Sequence, residues 1–185
     1  MSLPDKLLEI HAALEQHGIP HAFGGAIALA YWTTDPRGTS DIDLNVFAPP
    51  EEADQVLAAL PEGIVITARA RALIARDGQA RLFWDQTPVD LFFDNHPIHA
   101  RAAGHHVIVE FSGTRIPILG PIELALFKAL FDRTQDWADI EAMIASLRLD
   151  PDAVRDLLLE LIGAEDERFA RLDEAQVRAE RSRQR

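Results

Sequence analysis

The sequence predicts an α+β fold: a sheet core with helices over residues 1–120, followed by a C-terminal helical part over 121–185, packed on the core and fraying over its last 20 or so residues. Three observations predict it. Short segments with the two-residue alternation of half-buried strands recur between residues 41 and 119. From Gly120 onward the apolar spacing turns helical and stays so. The composition, 48% apolar and 26% charged over 185 residues, is that of a globular chain, which excludes a disordered or collagen-like one.

Taken in order, residues 3–16 carry Leu7, Ile10, His11 and Leu14 along one helical side, and His17-Gly18 stops them. A short extended piece at 21–23 meets Gly24-Gly25, and residues 26–32 read as an Ala-rich helix, apolar nearly all round and so buried. Pro36 and Gly38 mark a loop over 33–40. Residues 41–47 alternate strictly, with Ile42, Leu44 and Val46 facing one way and Asp41, Asp43 and Asn45 the other. Pro49-Pro50 ends that strand, and a helix with acids in its first turn follows over 51–60. Further strands are expected at 64–67, 80–84, 89–93, 107–111 and 115–119, the last two joined by a Ser112-Gly113 hairpin. Gly120-Pro121 opens a buried helix to 132. Others follow over 137–147 and from Asp150-Pro151, where Val154, Leu157, Leu158, Leu161 and Ile162 form a stripe. Beyond Gly163, alternating acids and arginines read as a solvated helix.

Thirty acidic residues against 18 Lys and Arg give a formal charge of −12, which argues against a diffuse basic grip on duplex DNA. There is no cysteine, so disulfides and thiolate metal sites are excluded. No apolar run approaches the roughly 20 residues of a membrane span, and the N-terminus carries no secretory apolar stretch. A soluble, cytoplasmic protein is the expectation.

Three features bear on chemistry. Gly24-Gly25 lies between a strand and a helix, where backbone can approach a phosphate and the helix offers free N–H groups; a plain turn is the alternative. Asp41-Ile42-Asp43 places two carboxylates on one strand face. They either flank a cation such as Mg²⁺ or form a solvated face guarding a sheet edge. Asp90 is a lone carboxylate in an apolar strand, either turned to solvent or part of a metal site.

Together these resemble the nucleotidyltransferase superfamily with the polymerase-β-like fold. Gly24-Gly25-Ala26, an apolar helix, then Arg37-Gly38-Thr39-Ser40-Asp41-Ile42-Asp43-Leu44 is similar to the minimal nucleotidyltransferases, in particular the AbiEii-like toxin group of prokaryotic toxin–antitoxin systems. A segment with Glu123, Lys128, Arg133, Asp136, Trp137, Asp139 and Ile140 also resembles that group. The resemblance implies a nucleotidyltransferase-like mixed β-sheet flanked by helices. It implies transfer of an NMP from an NTP to an acceptor hydroxyl on RNA, protein or a small molecule, with a cognate antitoxin as a further partner. Gly24 and Gly25 would hold the triphosphate through backbone N–H groups. Asp41 and Asp43 would bind Mg²⁺, and Asp90, the third acid, would complete a second metal site and help activate the acceptor. Many members carry Ser where this chain has Gly25, and Thr39 or Ser40 is then expected to supply the missing hydroxyl.

Arg37 is expected either to contact phosphate or to pair with Asp35 or Asp41, and Lys128 either to meet phosphate or to reach the surface. Arg133, Asp136 and Asp139 read as helix-terminal ion pairs. His96, His99, His105 and His106 fall in an expected loop rich in Ala and Gly and are not read as a metal site. Trp32, Trp84 and Trp137 read as core. Two other functions compete: a catalytically inactive binding or regulatory module of the same fold, and a glycosyltransferase holding a nucleotide-sugar through Asp-x-Asp, which would need a larger domain than this chain supplies.

Overall fold

The computed structural model of the chain describes residues 1–184. It divides into two compact units: Met1–Ile27 with Gly38–Leu119, and Ala28–Arg37 with the chain from Gly120 onward.

The first unit is built on a seven-stranded mixed sheet. Its elements are α1 (Leu3–Gln16), β1 (His21–Phe23), the start of α2 (Gly25–Trp32), β2 (Ile42–Val46), a 3₁₀ turn (Pro50–Glu52), α3 (Ala53–Ala59), β3 (Ile64–Val65), α4 (Ala68–Asp77), β4 (Gln79–Trp84), β5 (Thr87–Phe93), α5 (Pro97–His105), β6 (Val107–Phe111) and β7 (Thr114–Ile118). The strand order is β3-β4-β5-β2-β1-β7-β6. β2 runs parallel to β5 and antiparallel to β1. The β6–β7 turn takes positive φ at both Ser112 (50°) and Gly113 (82°), the twist that suits a two-residue hairpin.

One sheet face is the core of this unit. Phe23, Ile42, Leu44, Val46, Val89, Leu91 and Phe93 are all fully buried there, each such side chain contributing about 1.5–3 kcal/mol of burial. Helix α1 lies on this face, with the His11 ring against His21 and Phe23 and with Leu7, Ile10 and Leu14 buried. It starts on a Ser2–Asp5 capping box. Buried Lys6 anchors its first turn to the β4–β5 hairpin through the Trp84 carbonyl (2.8 Å), Asp85 (3.0 Å) and Thr87 (3.2 Å). The opposite face carries Asp43, Asn45, Asp90 and Arg81, because side chains alternate along each strand.

The second unit is helical: the end of α2, then α6 (Pro121–Phe131), α7 (Thr134–Ala145), α8 (Pro151–Ile162) and α9 (Arg168–Arg183). α6 ends on Asp132 in a left-handed cap (φ 59°). α9 buries Leu172, Ala175 and Ala179 along one side and packs on α7, with Arg178 bonded to Glu141 (3.1 Å). The expected fraying of the tail meets a regular helix to Arg183, and Arg185 lies outside the described residues. Among the described residues no helix is long and apolar enough to cross a membrane.

Two helices depart from the expectation. α4 was not anticipated, because only Ala70 and Ile74 of its ten residues are buried, too few to give an apolar stripe. Its signals were local: Thr67 caps the Ala70 amide (3.1 Å), and Gly78 closes the helix at φ 68°. The expected loop around His96, His99, His105 and His106 is α5, capped by His96, opened by Pro97 and held by buried Ile98, His99 and Ala102.

Candidate active site

β2 and β5 lie side by side in parallel, in a register that sets Asp43 directly beside Asp90. Adjacent strands are about 4.8 Å apart, so the two side chains start together on the face opposite the core. Asp41 stands two residues before Asp43, at the mouth of β2. Its carboxylate accepts a hydrogen bond from the Thr39 hydroxyl, and its own amide donates back to Thr39 Oγ1 (3.3 Å). Thr39 therefore orients Asp41, and Ser40 lies exposed between them.

The glycine pair sits against these acids. The Gly24 amide donates to the Asp43 carbonyl (2.9 Å), so the backbone groups left to meet a phosphate begin with Gly25 and the first turn of α2. Gly25 has φ +51°, and a Cβ built there would stand 1.7 Å from Asp43 Oδ2. The carboxylate occupies the space that a side chain at position 25 would need. That fits glycine where many members of the resembling family carry serine: with Asp43 in this position a side chain at residue 25 would meet its carboxylate.

The sequence reading missed Arg81. Its Cα partner across the β4–β5 ladder is Asp90, and its guanidinium grips that carboxylate at 2.7 and 2.6 Å. Those hydrogen bonds, then the charge of Asp90, hold the guanidinium above its ordinary value, with Asp41 and Asp43 adding to the same pull. One cation thus feels all three acids. Two-residue alternation in 79–84 would have placed Arg81 on this face, but not its register against Asp90.

The donor set is three carboxylates and no nitrogen or sulfur, which suits a hard cation such as Mg²⁺. The two hydrogen bonds from Arg81 to Asp90 show that this carboxylate already holds a cation in the structure. Asp41, Asp43 and Asp90 offer donors of the kind Mg²⁺ takes, though their oxygens are not drawn to within 4.8 Å of one another in this structure.

In the second unit, Lys128 and Arg37 converge on Asp139. Lys128 is buried and meets Asp139 at 2.6 Å and Asp136 at 3.6 Å. Arg37 donates two bonds of 3.1 Å to the Asp139 carboxylate, and Gln135 adds one of 3.0 Å. Burial alone would raise the Asp139 carboxyl, but the bonds from Arg37 and Lys128 outweigh it and hold the group below its usual range. Arg37 therefore pairs with Asp139, a partner 102 positions away in sequence that no local pattern announces. Arg133 bonds Asp136 as expected of a helix start (2.7 Å). Trp84 and Trp137 are buried, and Trp32 is half-buried.

Residues 6–185 match the family described as nucleotidyl transferase AbiEii toxin, type IV TA system. The chain belongs to the AbiEii family. Solved structures agree in fold. The antibiotic-resistance factor ANT(2'')-Ia superimposes with a TM-score of 0.61 at 15% identity, over 92% of this chain and 95% of that one. The lincosamide antibiotic adenylyltransferase LnuA, bound to lincomycin, gives 0.52 at 14% identity over 75% and 94%. An antigenic nucleotidyltransferase-like protein from Paracoccidioides brasiliensis gives 0.51 at 16% over 91% of each. No curated protein sequence matches the chain. In this AbiEii chain the fold is thus that of a nucleotidyltransferase, with Asp43 and Asp90 side by side on its sheet.

Proposed function

We propose that this AbiEii protein is a Mg²⁺-dependent nucleotidyltransferase that moves an NMP from an NTP to an acceptor hydroxyl, acting as the toxin of a toxin–antitoxin pair. The observation that carries the reading is the register of Asp43 against Asp90, with Asp41 and the Gly24-Gly25 turn beside them. Mg²⁺ held by Asp41, Asp43 and Asp90 would neutralise the triphosphate and lower the pKa of the attacking hydroxyl. The chain's own part is to orient and bind. Thr39 fixes the Asp41 carboxylate, Gly25 leaves room for Asp43, and first-turn amides of α2, with the Ser40 hydroxyl, meet phosphate oxygens. Arg81 keeps Asp90 paired until the nucleotide arrives. Lys128 and Arg37 are both committed to Asp139 and take no part in this reading. The family supports a cognate antitoxin as partner, and a cytoplasmic setting is part of the proposal; the acceptor is an RNA end, a protein hydroxyl or a small-molecule hydroxyl, the last supported by fold relatives named for antibiotics.

The test is incubation with each NTP labelled at the α-phosphorus, with Mg²⁺ and total RNA or cell lysate. A labelled acceptor that vanishes with EDTA and in Asp43→Ala is the expected result. Label that stays in free nucleotide with all four NTPs would overturn it. The Arg81–Asp90 pair favours a second reading, a nucleotide-binding module without turnover, which predicts bound but untransferred NTP in the same assay.

A further inference from the structure

On the face of the sheet opposite the acids, α1 and β1 bring together a second cluster. His21 lies on β1 opposite Val46, with the core-facing side chains, whereas Asp43 and Asn45 point the other way. His11 and Glu15 are four residues apart on α1 and share a side of the helix. His11 Nδ1 and His21 Nε2 are 2.9 Å apart, and His21 Nδ1 is 2.8 Å from the Ile19 carbonyl. One ligating atom from each of His11, Glu15 and His21 lies within 4.8 Å of the others. The three side chains line a cavity of about 440 Å³, with His106 and Arg115 in its wall.

We propose that His11, Glu15 and His21 bind a divalent transition-metal ion of the zinc class. Two imidazoles and a carboxylate suit Zn²⁺, whereas Mg²⁺ takes an all-oxygen set. The Ile19 carbonyl supplies the outer-shell bond that metal-ligating histidines use: it accepts the His21 Nδ1 proton and turns the Nε2 lone pair towards His11. Two nitrogens on one tetrahedral zinc stand about 3.3 Å apart at the usual Zn–N length, close to the 2.9 Å between these two. With no ion present, His11 donates its Nδ1 proton to His21. The ion takes the place of that shared proton, which His11 then carries on Nε2. Glu15 is exposed and closes on the ion by turning its side chain, and the cavity leaves a fourth position to water. A helix and a strand are thereby tied at the sheet face remote from Asp41, Asp43 and Asp90, so the ion stabilises the first unit and takes no part in transfer.

The test is calorimetric titration of the full chain, stripped of metal, with Zn²⁺ in the presence of excess Mg²⁺, together with thermal melts. One Zn²⁺ per chain and a raised melting temperature are expected, with affinity at least ~10-fold weaker in Glu15→Gln, the scale on which metal sites respond to such losses. Binding should be weaker still in His11→Gln and unchanged in Asp43→Asn. Because Glu15 is exposed, its variant reports on the ion without threatening the fold. Co²⁺ in place of zinc should give the visible absorption of a low-coordinate nitrogen/oxygen site in wild type, and lose it in His11→Gln. No zinc binding, or equal affinity in wild type, Glu15→Gln and His11→Gln, would overturn the proposal. So would loss of binding in Asp43→Asn alone, which would place the ion among the acids.

Discussion

Arg81 and Asp90 face each other across the β4–β5 ladder and close two parallel hydrogen bonds, Nε to Oδ1 at 2.7 Å and Nη2 to Oδ2 at 2.6 Å. The Arg81 side chain is 54% exposed and that of Asp90 17%. A pair this open to water is worth at most about 1 kcal/mol. A dication bringing a triphosphate can therefore draw Asp90 away from it.

Arg81→Met should accordingly leave the fold intact and lower the Mg²⁺ concentration for half-maximal transfer several-fold, because the guanidinium no longer competes for Asp90. Titrating Mg²⁺ against activity checks this. A raised requirement would mean that Arg81 positions Asp90 for the ion instead of competing with it.

Asp90 and Asp41 should differ in what they support. Asp90→Asn is expected to keep NTP affinity within a few-fold and to cut turnover by at least ~10²-fold, the scale of losing acid–base assistance. Asp41→Asn should weaken Mg·NTP binding itself. Equilibrium binding beside single-turnover rates separates the two, and equal loss of nucleotide binding in both would remove the distinction.

Gly25→Ser should fail as a route back to the commoner family residue. Position 25 is at φ +51° and its Cβ would stand 1.7 Å from Asp43 Oδ2. The left-handed backbone costs roughly 1–2 kcal/mol, and Asp43 must turn away. The expected outcome is a modest loss in melting temperature with a much larger loss of transfer. Wild-type activity in Gly25→Ser would show that the carboxylate can move without consequence.

Lys128→Met should destabilise the chain by about 3–5 kcal/mol, because buried Asp139 and Asp136 would lose a charge partner. Urea unfolding measures it. Adding Asp139→Leu to that variant should recover part of the loss; a further additive loss would mean that Asp139 is stabilised chiefly by Arg37 and Gln135.

Burial pushes the His99 imidazole below its ordinary value of about 6.5, against the opposing pull of Asp94 and the His96 backbone. The unfolded chain therefore takes up the proton first. His99 contributes fully above about pH 6.5, and the contribution is lost as pH falls from there towards the depressed folded value. His21, shifted in the same direction by burial, acts with the same sign. Melting temperature should fall between pH 7.5 and 5.5, and His99→Leu should flatten that slope. An unchanged slope would assign it to other groups.

What the sequence made legible was whatever depends on local periodicity. The alternation in 41–47 set Ile42, Leu44 and Val46 on one side and Asp43 on the other, and the structure buries the first three in the core and pairs Asp43 with Asp90 opposite them. Ser112-Gly113 announced its hairpin because two consecutive positive φ values demand such residues. α4 escaped because it buries too little to leave a stripe, and α5 because histidines, alanines and a glycine hide a helix whose cap is His96. Arg81 escaped for a different reason: its pairing with Asp90 is a matter of strand register, and Arg37 with Asp139 a matter of tertiary approach. Neither is written in spacing along the chain.

The three residues of β1 place a limit on how this chain can change in length. Their pairing, Phe23 with Leu44 and His21 with Val46, sets which side chains enter the core and where Gly24 stands against Asp43. A single residue inserted between α1 and Phe23, if absorbed by the strand, would exchange the sheet faces of Ala22 and Phe23, since side chains alternate with every step. The loop over 33–40 enforces no such parity, as it leads into β2 through irregular backbone. Homologous chains should therefore drift in length across 33–36, ahead of Arg37 and Thr39 and their partners, and hold their count between the end of α1 and the glycine pair.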